Sequence, residues 1–98
     1  MGQDLLMETG ADETFRRSLR GTVTSSQGYR VRVESRTSIR YWDEHGRVDL
    51  DCEVLAGPED AILLLLSSWP ETWGSLQGPD LISRVTAALS HEGWDIRP

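Results

Sequence analysis

The stretch Ser38–Leu55, SIRYWDEHGRVDLDCEVL, alternates in character on both sides of His45-Gly46, and that pattern commits it to a β-hairpin. With the turn at His45-Gly46, Glu44 faces Arg47, Trp42 faces Asp49, Arg40 faces Asp51 and Ser38 faces Glu53. On the other side Asp43 faces Val48, Tyr41 faces Leu50 and Ile39 faces Cys52. The second side is mostly apolar. The first is charged and contains two opposite-sign cross-strand pairs, the arrangement that stabilises a sheet. A one-residue slip would exchange the two sides, so the faces are strongly specified. The outward side then carries an aromatic ring and three carboxylates, which is a surface for a partner rather than a reaction centre.

Neighbouring segments extend the sheet. Tyr29–Glu34, YRVRVE, alternates with Tyr29, Val31 and Val33 on one side and Arg30, Arg32 and Glu34 on the other. A three-residue loop, Ser35-Arg36-Thr37, places Val33 beside Ile39 and Val31 beside Tyr41, and brings Arg32 opposite Arg40. Ala61–Leu66, AILLLL, lacks alternation. Gly57-Pro58-Glu59-Asp60 would also suit a helix start, but the short unbroken apolar run is read as a central strand. Trp69–Pro79 is read as a loop. Pro79–Glu92 is the clearest helix, with Leu81, Ile82, Val85, Ala88 and Leu89 on one side, Asp80 in the first turn and Gly93 as the stop. Trp94–Arg97 reads as a closing edge strand. Asp12–Arg20 reads as a short helix capped by Asp12 or Thr14 and ended by Gly21. The expected fold is α+β: an antiparallel sheet of four to five strands with a C-terminal helix packed on one face. Residues 1–20 are expected to be a poorly ordered or short-helix segment, and 21–98 a single α+β domain.

Charge narrows the partners. The 98 residues hold 16 acids and 10 bases, for a net charge of −6, and every base is Arg. Residues 37–98 carry eleven of the acids against four Arg. Such a field attracts basic partners and repels nucleic acid and anionic membrane, and at this size it also serves solubility. Arg16, Arg17, Arg20, Arg30, Arg32 and Arg36 form the one basic stripe, which the rest of the chain opposes. The N-terminus lacks the basic start and apolar core of a signal peptide, Leu6 breaks the myristoylation pattern, and no run is long enough to span a bilayer. The expected location is the cytoplasm.

Catalytic and cofactor patterns find no footing. Cys52 is the lone cysteine and falls on the apolar side of its strand. His45 and His91 with one Cys match no zinc spacing. Asp49, Asp51 and Glu53 alternate on one side and have the chemistry for Mg²⁺ or Ca²⁺, but Arg40 opposite Asp51 favours an ion-paired surface. No Gly-rich phosphate loop or nucleophile elbow is present. The expectation is a protein that is not an enzyme, with no metal and no cofactor. The four Trp are the remaining signal. Trp69 and Trp94 are expected in the core. Trp42 falls on the charged side and Trp73 in a Gly/Pro loop beside Glu71, either as interface anchors or as a second buried cluster.

From Thr37 to Ile96 the order is TSIRYWDEHGRVDLDCEVLAG, an apolar strand ending in SSW, a Trp-bearing loop, and DLISRVTAALSHEGW. This resembles small immunity proteins of bacterial polymorphic-toxin systems, with Tyr41, Gly46, Arg47, Glu53 and Trp69 as the matching residues. The resemblance implies a non-catalytic protein that neutralises a cognate toxin domain by direct binding and active-site occlusion. The expected contact residues are Trp42, Asp43, Glu44, Asp49, Asp51, Glu53, Glu71 and Trp73, and the expected partner is a basic toxin domain, with neither nucleic acid nor membrane. Two alternatives stand beside it. One is a phage-type inhibitor or regulatory adaptor for a host complex. The other is a structural homodimer joined through an edge strand, Tyr29–Glu34 or Trp94–Arg97.

Overall fold

The computed structural model describes residues 13–98. In chain order the strands are β1 (Phe15–Arg17), β2 (Val23–Ser25), β3 (Arg30–Ser35), β4 (Ser38–Asp43), β5 (Gly46–Val54), β6 (Ala61–Leu64), β7 (Thr72–Trp73), β8 (Leu76–Gln77) and β9 (Asp95–Arg97). The helix α1 (Gly78–His91) lies between β8 and β9, and a 3₁₀ turn covers Leu66–Ser68. Seven strands form one sheet in the order β9-β6-β5-β4-β3-β2-β1, and β7 with β8 makes a separate small hairpin. All neighbours in the large sheet are antiparallel except β9, which runs parallel to β6 and is reached through α1.

The class is therefore the expected α+β, with a mostly antiparallel sheet and one C-terminal helix, but the sheet has seven strands rather than four to five. The extra strands come from the N-terminal side. Residues expected as a short helix instead give β1, whose Phe15 ring packs 5.1 Å from His91 of α1. A turn follows it, in which Ser18 Oγ accepts hydrogen bonds from the Arg20 and Thr22 amides. A Ser side chain that satisfies two local amides competes with helix formation, which explains the difference. The expected cap Asp12 lies outside the described residues.

The longest strand, β5, joins the two halves of the sheet. Its first part pairs with β4, from Asp43↔Gly46 to Ser38↔Asp51, and its last part pairs with β6, from Cys52↔Leu64 to Val54↔Ile62. The β4–β5 register differs from the expected one by two residues: Arg40 sits opposite Asp49 rather than Asp51, and Trp42 opposite Arg47 rather than Asp49. Turn chemistry explains the shift. The loop is Glu44-His45, so Asp43 and Gly46 occupy the first and fourth turn positions, where Asp and Gly are favoured. Asp43 Oδ1 accepts the His45 amide at 2.8 Å, and Gly46 has φ +119°. A shift of two preserves the faces. The β3–β4 register is the expected one, including Val33↔Ile39, Val31↔Tyr41 and Arg32↔Arg40.

One face of the sheet is covered. Val23, Tyr29, Val31, Ile39, Tyr41, Leu50, Cys52, Ile62 and Leu64 pack with Leu81, Val85, Ala88 and Leu89 of α1. Ala61–Leu64 is a strand with neighbours on both edges, as expected for the apolar run, while Leu65 beyond it is exposed. The helix ends in a Schellman arrangement: the Gly93 amide (φ +94°) donates to the Ser90 carbonyl and the Trp94 amide to the Leu89 carbonyl. That reversal aims the chain back into β9. Trp69 is buried, and its indole N–H donates to the Asp51 carbonyl at 2.8 Å.

The sheet edges bear on self-association. Tyr29–Glu34 is interior, between β2 and β4, and so offers no free edge for a dimer. Among the described residues the edges are β1 and β9, each three residues long. In β9, Arg97 bonds to Asp95 and Glu59. Short, charged edges discourage strand addition.

The β7–β8 hairpin docks on the β4–β5 turn. Gly74 has φ +62°, and a Cβ there would collide with the His45 imidazole. Gly74→Ala is expected to destabilise the fold by about 1–2 kcal/mol, the cost of a left-handed non-glycine residue, with the collision added. Adding His45→Ala should recover the collision part and leave the backbone part. Urea denaturation of the single and double variants checks this; equal stability of wild type and Gly74→Ala would refute the packing.

Candidate functional site

The face of the sheet opposite α1 carries its side chains in rows set by the register. The first row is Arg30–Trp42–Arg47, across β3, β4 and β5. The second is Arg32–Arg40–Asp49. Ser38–Asp51 follows, and then Glu53, which pairs with Leu63 of β6. Four arginines and four carboxylates, counting Glu34, thus share the centre of this face. Their order is not random: the row nearest the hairpin turn is basic, and the end nearest β6 is acidic.

Trp42 sits among guanidinium groups. Arg30 lies 5.0 Å from the indole centroid, and Arg32 and Arg40 each lie 5.9 Å away. An aromatic face attracts such cations, and the planar guanidinium stacks on it. The direct opposition of Arg32 and Arg40 is offset by carboxylates. Glu34 bridges both, and Asp49 accepts from Arg40 Nε at 2.9 Å. The hydrogen bond from Arg40 holds the Asp49 carboxyl below its ordinary value. Among the described residues, Arg30, Arg47, Asp51 and Glu53 make no ion pair within 4 Å.

The eight expected contact residues divide between two places. Trp42, Asp49, Asp51 and Glu53 share the open face, Trp42 half-buried and the three carboxylates exposed. Asp43 points to the other side. Its side chain is only 5% exposed, because it accepts from the Tyr41 hydroxyl at 2.8 Å, the His45 amide at 2.8 Å and the Trp73 indole at 3.1 Å. Arg84 of α1 approaches Asp43 at 3.8 Å and donates to the Tyr41 hydroxyl at 2.8 Å. Asp43 and Trp73 therefore tie the hairpin turn to β7 and the helix. Trp73 is half-buried there, and Glu44 and Glu71 are exposed in the adjoining turn and at the start of the small hairpin. The side chains of Asp43 and Trp73 are thus brought together with each other, but not with Trp42.

The arginines around Trp42 were absent from the expected contact set, although the sequence contains the signal for them. Pairing Val31 with Tyr41 puts Arg30 opposite Trp42 by one step of the same register. Net charge points the other way, since the −6 of the whole chain hides a locally basic row.

Other groups are occupied within the fold. Burial, with help from the Asp51 charge, pushes the Cys52 thiol up to about 11. Among the described residues no three His, Cys, Asp or Glu side chains converge to hold a metal ion. A cleft of about 450 Å³ beside α1 is lined by Glu13, Tyr29, Asp80 and Arg84 among others. Glu13 there accepts from the Tyr29 hydroxyl at 2.6 Å and from Ser25, and Arg84 lies 4.9 Å from the Tyr29 ring centroid. Burial, with the Asp43 bond adding to it, pushes the Tyr41 hydroxyl up to about 12, so it remains a donor. No described helix is long and apolar enough to cross a membrane.

No family model matches the chain, and no curated protein or solved structure matches it either.

The Asp43 network predicts an acid-side effect. Burial raises the Asp43 carboxyl, but the bonds from the His45 amide, Tyr41 and Trp73 outweigh it and hold the carboxyl below its ordinary value. Its stabilisation is complete above the unfolded carboxylate value of about 3.9 and is lost as the pH falls through the lower folded value. Asp43→Asn is expected to cost about 2 kcal/mol at neutral pH by weakening bonds to buried donors. The variant should also show a shallower loss of stability below about pH 4. Urea midpoints taken from neutral to acid pH test this, and parallel curves for wild type and variant would exclude the role given to Asp43.

Proposed function

We propose that the protein is an immunity protein: it neutralises a cognate bacterial toxin domain by binding it directly and covering the toxin's active site. The observation that carries this reading is the sheet face that no other described element covers, with a half-buried indole at its centre and charged side chains around it. Trp and Arg are the residue types that dominate binding energy at protein interfaces when a partner excludes water from them. A sheet face is rigid, so binding orders little of the backbone, which favours affinity.

The partner class follows from charge. Asp51 and Glu53 lie exposed at one end of the face, and Glu44 and Glu71 lie beyond its other end. The net charge of −6 steers a basic domain toward the protein and speeds encounter. Protein rather than nucleic acid or membrane is the partner this field favours, and the cytoplasm of the producing cell is where such protection is needed.

Co-expression with a toxin domain captured on the protein from lysate of the native organism tests the reading. Wild-type protein is expected to restore growth and to co-purify with the toxin. Trp42→Ala is expected to weaken the complex by tenfold or more, as interface Trp truncations do. Asp51→Lys with Glu53→Lys is expected mainly to slow association. Continued growth arrest in the presence of folded wild-type protein would overturn the proposal. Rescue unaffected by all three substitutions together would move the contact to another surface.

A further inference from the structure

We infer that the Arg30–Trp42–Arg47 row is a docking site for acidic side chains of the protein partner, so that the open face reads charge of both signs. This deepens the binding reading above and relies on it for the partner being a protein. The geometry comes from the register. Trp42 is the middle member of a cross-strand row, with an arginine directly opposite on each neighbouring strand. Adjacent strands are about 4.8 Å apart, which puts the Arg30 and Arg47 backbones roughly 10 Å from each other. Two arginines on that span, one of them already stacked on the indole between them, suit a pair of carboxylates from the partner.

The neighbouring row shows what a satisfied arrangement looks like on this same face. Arg32 and Arg40 also lie near the indole, and both are ion-paired, to Glu34 and Asp49. Arg30 and Arg47 are exposed, and no described carboxylate forms an ion pair with either within 4 Å; Arg30 stacks on the indole and Arg47 acts on Asp49 only at longer range. Arginine is the cation suited to this role, because its planar fork binds carboxylate in a bidentate manner while one face stacks on an aromatic ring. The acidic end of the face begins about four residues further along β5, roughly 13 Å away, so a partner in register must carry acid over one end and base over the other. That requirement rejects partners of a single sign.

A titration followed by NMR tests this with a defined probe. The Trp42 indole N–H signal is assigned through Trp42→Phe, and a short oligoglutamate peptide is added to the full chain at low salt. The Trp42 signal should shift and saturate. Arg30→Gln with Arg47→Gln should weaken binding about tenfold, and Arg30→Lys with Arg47→Lys should retain most of it, which controls for folding. An oligothymidine of equal charge should bind more weakly than the peptide. Tighter binding of the oligothymidine would overturn the inference in favour of a nucleic-acid site. No shift of Trp42, or equal affinity of the Gln variant, would overturn it outright. The two readings fail separately. If wild type rescues growth and the Gln variant rescues equally well, this inference falls and the immunity reading stands; if wild type does not rescue, the immunity reading falls whatever the peptide does.

Discussion

The carboxylate of Asp43 sets the geometry on which the rest of the molecule depends. One oxygen takes the His45 amide and so fixes the turn at Glu44-His45, which sets the pairing of β4 with β5. The same group accepts from Tyr41 and from Trp73, and lies near Arg84 of the helix. A single buried anion therefore fixes strand register, seats the β7–β8 hairpin and anchors α1. Such an anion is stable in the fold because several donors replace the water it has lost. Without it, the hairpin would have less reason to choose its turn, and every row on the open face would lose its definition.

The faces of the central sheet were legible in the sequence because side-chain alternation has a period of two. The register error over β4 and β5 was also two, so Ile39, Tyr41, Leu50 and Cys52 were placed inward correctly although their partners were wrong. What alternation does not encode is which pair of residues makes the turn. His45-Gly46 looks like a turn because glycine permits it, yet the Asp at the first position decides the matter. The helix was legible for the same reason as the faces, since Leu81, Val85, Ala88 and Leu89 recur on one side and Gly93 ends it. β1 was not, because its three residues hold one apolar side chain and its pairing is with residues six to ten positions later. β7 and β8 have two residues each, too few for any period to show.

The site was legible only in part. Alternation placed Trp42 outward, and the structure agrees. Asp43 was included among the contact residues for its charge, while its own parity put it on the inward side with Tyr41. Parity was the better guide, since an inward carboxylate survives only if donors meet it there, and three do. The basic row needed tertiary pairing: Arg30 and Arg47 are 17 positions apart in sequence and meet Trp42 only across two ladders. Net charge, summed over the chain, averages such local order away.

The distribution of ion pairs separates what serves the fold from what remains for a partner. Glu34 and Asp49 resolve the Arg32–Arg40 opposition that the hydrophobic register forces, since Val31 and Val33 cannot face inward without bringing those arginines together. That cluster is a consequence of sheet formation and its compensation. Arg30 and Arg47 arise from no such constraint. Neutral polar residues at both positions would keep the alternation and remove two like charges from the Trp42 row. Arg30 stacks on the indole and Arg47 helps to hold the Asp49 carboxyl down, but neither closes an ion pair within 4 Å among the described residues. In the proposed docking, an approaching carboxylate closes that pair at the moment of contact. Binding at this row would then be strongest for a partner that also meets Asp51 and Glu53, which ties recognition to orientation as well as to charge.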